Sequence, residues 1–320
     1  MESLSAQTFT RADLSIRPAQ PTDRPALETI AGQIWDGDDY LPRVLDDWLN
    51  DPHDGFYVAV LRDQVIGAAK ITRFAEGEWW LEGLRIDPAF QGYGFARILH
   101  HFLMNQVRKL GRGVVRFSTA STNEPVQQLA KETGFERVAA YLPYGADALA
   151  EPVQAVWPLG PADAPRGQAW LDQSAHFVRA QRSYEWDWSY YMLTGERLAE
   201  RLAAGLVYGW PQHGSRDPLG GVIIVNPEEK TRWPGDPTLK IAYFDAGDLA
   251  AAARDMRRLA AALNRVRVRI KALNRPERVA ALEKAGYVRE WDGETWLYAR
   301  DISLTEHAVV LTETDPPSEN

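Results

Sequence analysis

The chain reads as an α/β fold of the layered α+β kind, a mixed central sheet flanked by helices, built twice in tandem. Three observations predict this. An apolar run ends at a proline turn and feeds a glycine loop that opens a long amphipathic helix. A second strand then leads through an Asn-Glu-Pro turn into another helix, closed by a Gly-Phe pair. The same order of elements returns, more faintly, in the second half.

Taken in order, Trp79 to Ile86 has the composition of a buried strand, and Pro88 prevents simple continuation of its ladder. The segment Leu81-Glu-Gly-Leu-Arg-Ile-Asp-Pro-Ala-Phe-Gln-Gly-Tyr-Gly-Phe-Ala96 then brings two glycines to the start of a helix. Backbone N–H groups of such a loop, with the positive end of the helix dipole, suit an anion. Side chains at Gly92 or Gly94 would hinder its approach. Ile98, Leu99, Phe102, Leu103, Val107 and Leu110 recur at helical spacing, and Gly111 stands where the helix would end. Gly113 to Phe117 predicts the next strand, and Pro125 sits in the first turn of a helix ending at Gly134–Phe135.

Four prolines between Glu151 and Gly167 mark the expected connection, which divides the chain into units of 14–150 and 167–311 around a 151–166 linker. Residues 1–13 and 312–320 are polar, aperiodic and expected to be mobile ends. In the second half, Leu239–Phe244 and Val266–Ile270 read as strands around an alanine-rich helix, Leu249–Leu263. Asn274 and Pro276 then precede a helix closed by Gly286–Tyr287, the counterpart of Asn123, Pro125 and Gly134–Phe135.

A net charge of −8 over 320 residues argues against a nucleic-acid partner. With no cysteine, the chain has no disulfide, thiolate metal site or cysteine nucleophile. Its six histidines are scattered, so no metal is expected. No signal-like leader or membrane-spanning apolar run is evident, and a cytoplasmic protein without a membrane partner is expected. Nothing in the sequence indicates an oligomeric state.

The Gln-x-x-Gly-x-Ala pattern from Gln91 to Ala96, in this order of strand, loop, helix, strand, Asn turn and Gly-Phe, resembles the pyrophosphate loop of the GCN5-related N-acetyltransferases. The resemblance implies the acyl-CoA N-acyltransferase fold and acetyl-CoA as co-substrate. It places the diphosphate on Gln91, Gly92, Tyr93, Gly94, Phe95 and Ala96, with Arg97 adding positive charge. Backbone groups of Leu84, Arg85 and Ile86 would contact the pantetheine arm and acetyl carbonyl, provided that this strand splays from its neighbour. Asn123 stands where the family helps fix the cofactor arm; a turn or cap role would also explain it.

Acetyl transfer to an amine requires loss of the amine proton, polarisation of the thioester and departure of the thiolate. Glu82, four residues before Ile86, matches the family glutamate that takes the proton, often through water. Pairing with a basic neighbour such as Arg85 is the alternative. Many relatives carry a tyrosine four residues before the Gly-Phe pair as acid; here that position is Ala130, and Tyr141 or Tyr144 are substitutes or core aromatics. Without cysteine, direct attack in a ternary complex is expected. In the second half, Asp245-Ala-Gly-Asp248 replaces the anion loop and would repel a diphosphate. That half is expected to be degenerate, either covering the first half or walling its cleft.

Ile34-Trp-Asp-Gly-Asp-Asp-Tyr-Leu-Pro42, Trp48-Leu-Asn-Asp-Pro52 and Leu81–Pro88 together resemble a narrower group, the histidine N-acetyltransferase-like proteins. The expected acceptor is a small-molecule amine, such as a free amino acid. Trp35, Asp38, Asp39 and Tyr40 would line its site through carboxylate attraction and cation–π contact. Acidic capping of a helix start is the plainer explanation. The aromatic run Tyr184–Tyr191 reads more readily as core or interface than as a ligand site. A non-catalytic acetyl-CoA sensor or scaffold, or an enzyme for a polyamine, antibiotic or protein amine, are the other readings.

Overall fold

A computed structural model describes residues 13–53, 55–212, 215–226 and 237–302. Residues 1–12 and 303–320, which include most of the expected mobile ends and the end of the second unit, lie outside it.

The first half contains β1 (Leu14–Pro18), α1 (Arg24–Ala31), α2 (Leu41–Leu49), β2 (Phe56–Leu61), β3 (Gln64–Ala75) and β4 (Glu78–Ile86). Then come α3 (Phe95–Leu110), β5 (Val114–Ala120), α4 (Glu124–Glu132) and β6 (Glu136–Asp147). Alternation along β2 assigns the two faces of the sheet. Val58 and Val60 pack with Leu27, Leu41, Leu45 and Trp48 of α1 and α2. Ala59 and Leu61 belong to the cluster that holds Leu99, Leu103 and Val107 of α3 and Ala130 of α4. Helices therefore cover both faces.

The second half repeats the plan. It runs β7 (Trp157–Pro158), α5 (Ala164–Gln173), α6 (Ala175–Arg179), β8 (Ser183–Trp186), β9 (Ser189–Met192) and α7 (Gly195–Ala203). It continues with β10 (Val207–Gln212), β11 (Ser215–Val225), β12 (Thr238–Ala246), α8 (Leu249–Ala262), β13 (Arg267–Leu273), α9 (Pro276–Lys284), β14 (Val288–Arg289) and β15 (Thr295–Asp301). The hairpins β2–β3–β4 and β10–β11–β12 are antiparallel, while β4–β5 and β12–β13 are parallel. These matching pairings are the repeat read from the sequence.

The halves share one sheet, in the order β1-β2-β3-β4-β5-β15-β6-β13-β12-β11-β10-β7, with β14 also on β6. Strand β15, late in the chain, inserts antiparallel between β5 and β6, and β6 lies along all of β13. The division placed at 151–166 in sequence is therefore not a division of the sheet. Each half leaves an open edge that the other half's strand covers. The proline-rich segment is itself held in place: β7 is the outermost strand, and the backbone N–H groups of Gln154, Ala155 and Val156 donate to the buried carboxylate of Asp255 at 2.8–2.9 Å.

Candidate active site

The site begins as a fault in the sheet. Strands β4 and β5 pair only over Glu78–Trp80 with Val114–Arg116 and then separate, so no ladder joins residues 81–86 to β5. A register shift against β3, between Ala68 and Lys70, marks a bulge at Gly83. Gly83 has φ +71°, and a Cβ there would lie 2.6 Å from the ring of buried Trp48. Only glycine meets both conditions. The gap opens a cleft of about 750 Å³ through the sheet. His100 and Leu103 of α3 and Val126 and Leu129 of α4 line one side; Trp35, Asp38, Tyr40 and Trp188 line the other. That volume suits an extended small-molecule ligand.

The expected anion loop lies at the α3 end. Gly92 and Gly94 take φ of +85° and +82°, and a Cβ on either would meet nothing within 4 Å. The glycines are thus required by backbone torsion and leave the loop surface open. Gly94 forms the N-cap of α3 without a side chain, so the positive helix end is presented bare. The Gln91 amide donates to the Ile86 carbonyl at 3.1 Å, tying the loop to β4. Phe95 is buried in the core, Ala96 is half-buried, and Tyr93 is exposed, stacking on Phe95 at 6.0 Å. The Arg97 guanidinium is engaged 2.6 Å from Glu132, so its charge is partly balanced. Leu84 and Arg85 line the cleft, whereas the Ile86 side chain packs in the core. Asn123 precedes α4 but makes no side-chain cap, and it lines the cleft.

Glu82, also in the cleft wall, accepts a 2.6 Å hydrogen bond from the Thr72 hydroxyl on β3, which fixes the carboxylate. Its expected alternative partner, Arg85, is bonded elsewhere. The Arg85 Nε and one Nη donate to the two carboxylate oxygens of Asp39. The guanidinium also lies 4.5 Å from the Tyr40 ring centroid and 5.8 Å from that of Trp35. This corrects the expectation for Asp39. Its side chain is fully buried, neutralised by Arg85 and accepts the Leu41 N–H at 3.0 Å, so it cannot also receive a substrate ammonium. Trp35, Asp38 and Tyr40 do face the cleft, and Asp38 is exposed with Arg43 3.4 Å away.

The substitutes considered for the missing acid do not reach the cleft. Ala130 is fully buried in the α3–α4 core. Tyr141 packs 4.6 Å from Tyr190 in a separate cluster with Trp80, and Tyr144 donates to Glu283 at 3.1 Å in the second-half core. Burial drives the Tyr141 phenol above its ordinary value, the wrong direction for an acid. Both are core aromatics.

Of four further residues at the site, three carried no signal in the sequence, and the fourth, Trp188, lay in the aromatic run Tyr184–Tyr191 that read more readily as core or interface. Thr72 stands beside Arg73 on β3 and Ser118 beside Thr119 on β5, neither within a recognisable motif. His100 looks like any helical histidine, yet it is buried with Nε2 2.9 Å from Thr133 Oγ1. Burial, then the charges of His101 and Arg300, push it down to about 4, so it is neutral near pH 7. Trp188 comes from the second half, at the tip of the β8–β9 hairpin, and its carbonyl accepts from Ser118 Oγ at 2.8 Å.

The corresponding place in the second half is filled. β12 and β13 pair over Thr238–Ile241 with Arg267–Ile270 and then part. Into the gap α9 projects Arg278, which donates to the Phe244 carbonyl at 3.0 Å and to Asp245 at 2.7 Å. Ser174 holds the other Asp245 oxygen at 2.6 Å, and the His176 and Tyr243 rings lie 5.5 Å apart. The space left is about 20 Å³, enough for a water molecule. Asp248 caps α8 through the Ala251 N–H. Among the described residues, no group of three or more His, Asp or Glu is arranged to hold a metal ion.

The family described as acetyltransferase (GNAT) matches residues 24–135. An N-alpha-acetyltransferase RimI of Mycobacterium tuberculosis is 30% identical over 134 residues, 39% of this chain and 83% of that protein. A probable N-acetyltransferase 16 of Homo sapiens is 36% identical over 96 residues, and a histidine N-acetyltransferase of Oreochromis niloticus 29% over 103. Those matches cover 29% and 32% of this chain but only 26% and 31% of the two relatives. Among solved structures, a GCN5-related N-acetyltransferase from Sphaerobacter thermophilus superposes with a TM-score of 0.60 at 16% identity, covering 92% of this chain and 97% of that one. A tandem GNAT protein from the clavulanic acid biosynthesis pathway gives 0.53 at 15%, covering 92% and 100%. The last two speak to fold alone, and they extend it over both halves.

Proposed function

Because this chain belongs to the acetyltransferase (GNAT) family, we propose that it transfers the acetyl group of acetyl-CoA to the amine of a small acceptor. The observation that carries this reading is the cleft where β4 parts from β5, lined by Glu82, Leu84, Arg85, Asn123 and aromatic walls, together with the glycine loop that follows β4 and leaves the α3 N-terminus bare. Acetyl-CoA would lay its diphosphate on residues 91–96 and its pantetheine arm along Leu84 to Ile86, where β4 has no β5 partner. Asn123 would steady the arm. The acceptor would enter from the side of Trp35, Asp38 and Tyr40.

In the reaction, the acceptor ammonium gives a proton to Glu82, directly or through water, and the free amine attacks the thioester carbonyl. Thr72 holds the carboxylate for this step. The C–N bond forms, the nitrogen of the tetrahedral adduct gives up its second proton to water, the C–S bond breaks, and the departing thiolate takes a proton from solvent, since Tyr141 and Tyr144 do not line the cleft. Histidine is the first acceptor to test, on the sequence resemblance and on the name of one relative. Arg278 and its neighbours support a single acetyl-CoA site per chain. A cytoplasmic setting belongs to this reading; among the described residues no helix is long and apolar enough to cross a membrane.

The test is release of free CoA thiol from acetyl-CoA mixed with amino acids, small amines, polyamines and peptide N-termini in turn. Turnover with free amino acids or small amines is the expected result. Turnover confined to peptides or polyamines would overturn the small-acceptor part, and tight acetyl-CoA binding without any turnover would favour a sensor.

A further inference from the structure

We propose that Trp188, carried into the cleft by the second half, completes the acceptor subsite and selects amines that bear a flat ring. The proposal rests on the acetyltransferase reading and deepens it. Trp188 stands in the two-residue turn of the β8–β9 hairpin, where Ser189 pairs with Trp186. Asp187 and Trp188 have φ of +53° and +75°, a left-handed pair that hairpins ordinarily fill with Asn-Gly. Asp tolerates this conformation, but a bulky tryptophan is strained in it. Strain of this kind persists where surrounding contacts over-determine the position.

Those contacts are present. The Trp188 N–H donates to Glu185 Oε1 at 2.7 Å, and its carbonyl accepts from Ser118 Oγ at 2.8 Å. Lys271 Nζ lies 3.5 Å from the ring centroid, and Trp291 stacks at 6.5 Å. The hairpin is docked on the first half by Tyr191 stacked 3.8 Å from Phe74, and by Glu78, which accepts from the Met192 N–H at 2.7 Å and from Arg197 at 2.6 Å. So anchored, the indole remains 40% exposed and lines the cleft across from the cofactor side. Trp35, 63% exposed, and Tyr40 add aromatic surface to the same wall. Asp39 is buried against Arg85, and Asp38 is exposed with Arg43 3.4 Å away, so the larger part of this wall beside Glu82 is aromatic. Stacking against a planar substituent is the recognition such a wall provides.

The test is Trp188→Gly in the full chain. It removes the ring and relieves the left-handed strain, so the hairpin is retained; Trp188→Phe restores a smaller ring. With histidine, histamine and tyramine as acceptors, KM should rise about tenfold or more in the glycine variant, more than kcat falls, and return toward wild type in the phenylalanine variant. Values for putrescine and glycine should move little. Acetyl-CoA affinity and the melting curve report the fold. Binding of tyramine and histamine to CoA-saturated protein, measured by calorimetry, needs no turnover and should be lost in Trp188→Gly. Equal ring-amine binding in both proteins, no such binding to the wild type, or a wild-type preference for putrescine or peptide amines would each overturn the proposal. Failure of thiol release with every amine would sink the transferase reading instead, and the calorimetry would still decide the subsite.

Discussion

Asp39→Ala separates a structural role from a substrate-binding one at the position where sequence and structure diverge most. The Asp39 side chain is fully buried and that of Arg85 only 4% exposed, and the pair is doubly hydrogen-bonded. Removing the carboxylate strands a buried guanidinium, at a cost of about 3–5 kcal/mol. Loss of the Leu41 N–H partner adds about 1 kcal/mol. Tyr40 and Trp35 over the guanidinium soften the loss without supplying an acceptor. The expected total, about 4–6 kcal/mol, is a large share of the roughly 5–15 kcal/mol that a folded protein has in all. Urea denaturation followed by fluorescence and circular dichroism measures it. Asp39→Leu combined with Arg85→Met should recover most of the stability, because a buried pair replaced whole by apolar side chains is often tolerated. The reasoning is refuted if Asp39→Ala is as stable as wild type while the acceptor KM climbs. That result would return Asp39 to the substrate.

Glu82→Gln should lower kcat at neutral pH by roughly 10²–10⁴-fold, with acetyl-CoA affinity little changed and partial recovery at high pH; wild-type rates across the pH range would remove Glu82 from the mechanism. Gly94→Glu should abolish acetyl-CoA binding while the chain still folds, since a Cβ there meets nothing and the φ of +82° costs about 1–2 kcal/mol. Undiminished affinity by calorimetry, or two acetyl-CoA molecules per wild-type chain, would contradict the site assignment. His100 has its folded pKa pushed down to about 4 against an ordinary 6.5, so the unfolded chain takes the proton first. Its contribution is intact above pH 6.5, declines as pH falls toward 4 and is level below, a loss of about 3 kcal/mol. The wild-type and His100→Gln stability curves should therefore converge or cross over that window, and parallel curves would refute it.

The features that were readable in the sequence act over a few residues. Left-handed torsion at Gly92 and Gly94 needs glycine whatever surrounds it, and Pro125 suits the first turn of α4 wherever α4 packs. Periodicity marked α3, and the order of elements marked the repeat, because both are properties of the local chain. The remainder depended on which distant groups meet. Asp39 and Arg85 lie 46 residues apart, and their pairing turned an expected substrate ligand into a buried support. Tyr141 sits beside the site in sequence but packs into another core. The proline-rich segment marked a connection between two units, but no local signal showed that β15 would pair with β5 and β13 with β6, each half's open edge being covered by a strand of the other. Trp188 reaches Ser118 across 70 residues, from an aromatic run whose composition suits core and ligand wall alike. Torsional preference and amphipathic spacing are set by near neighbours, whereas burial, charge pairing and edge closure are free-energy differences among partners the local chain does not specify. The glycine loop thus follows from the sequence alone, whereas the cleft follows from where β4 parts from β5 in the folded chain, and its wall residue from the second half, Trp188, from how the halves meet.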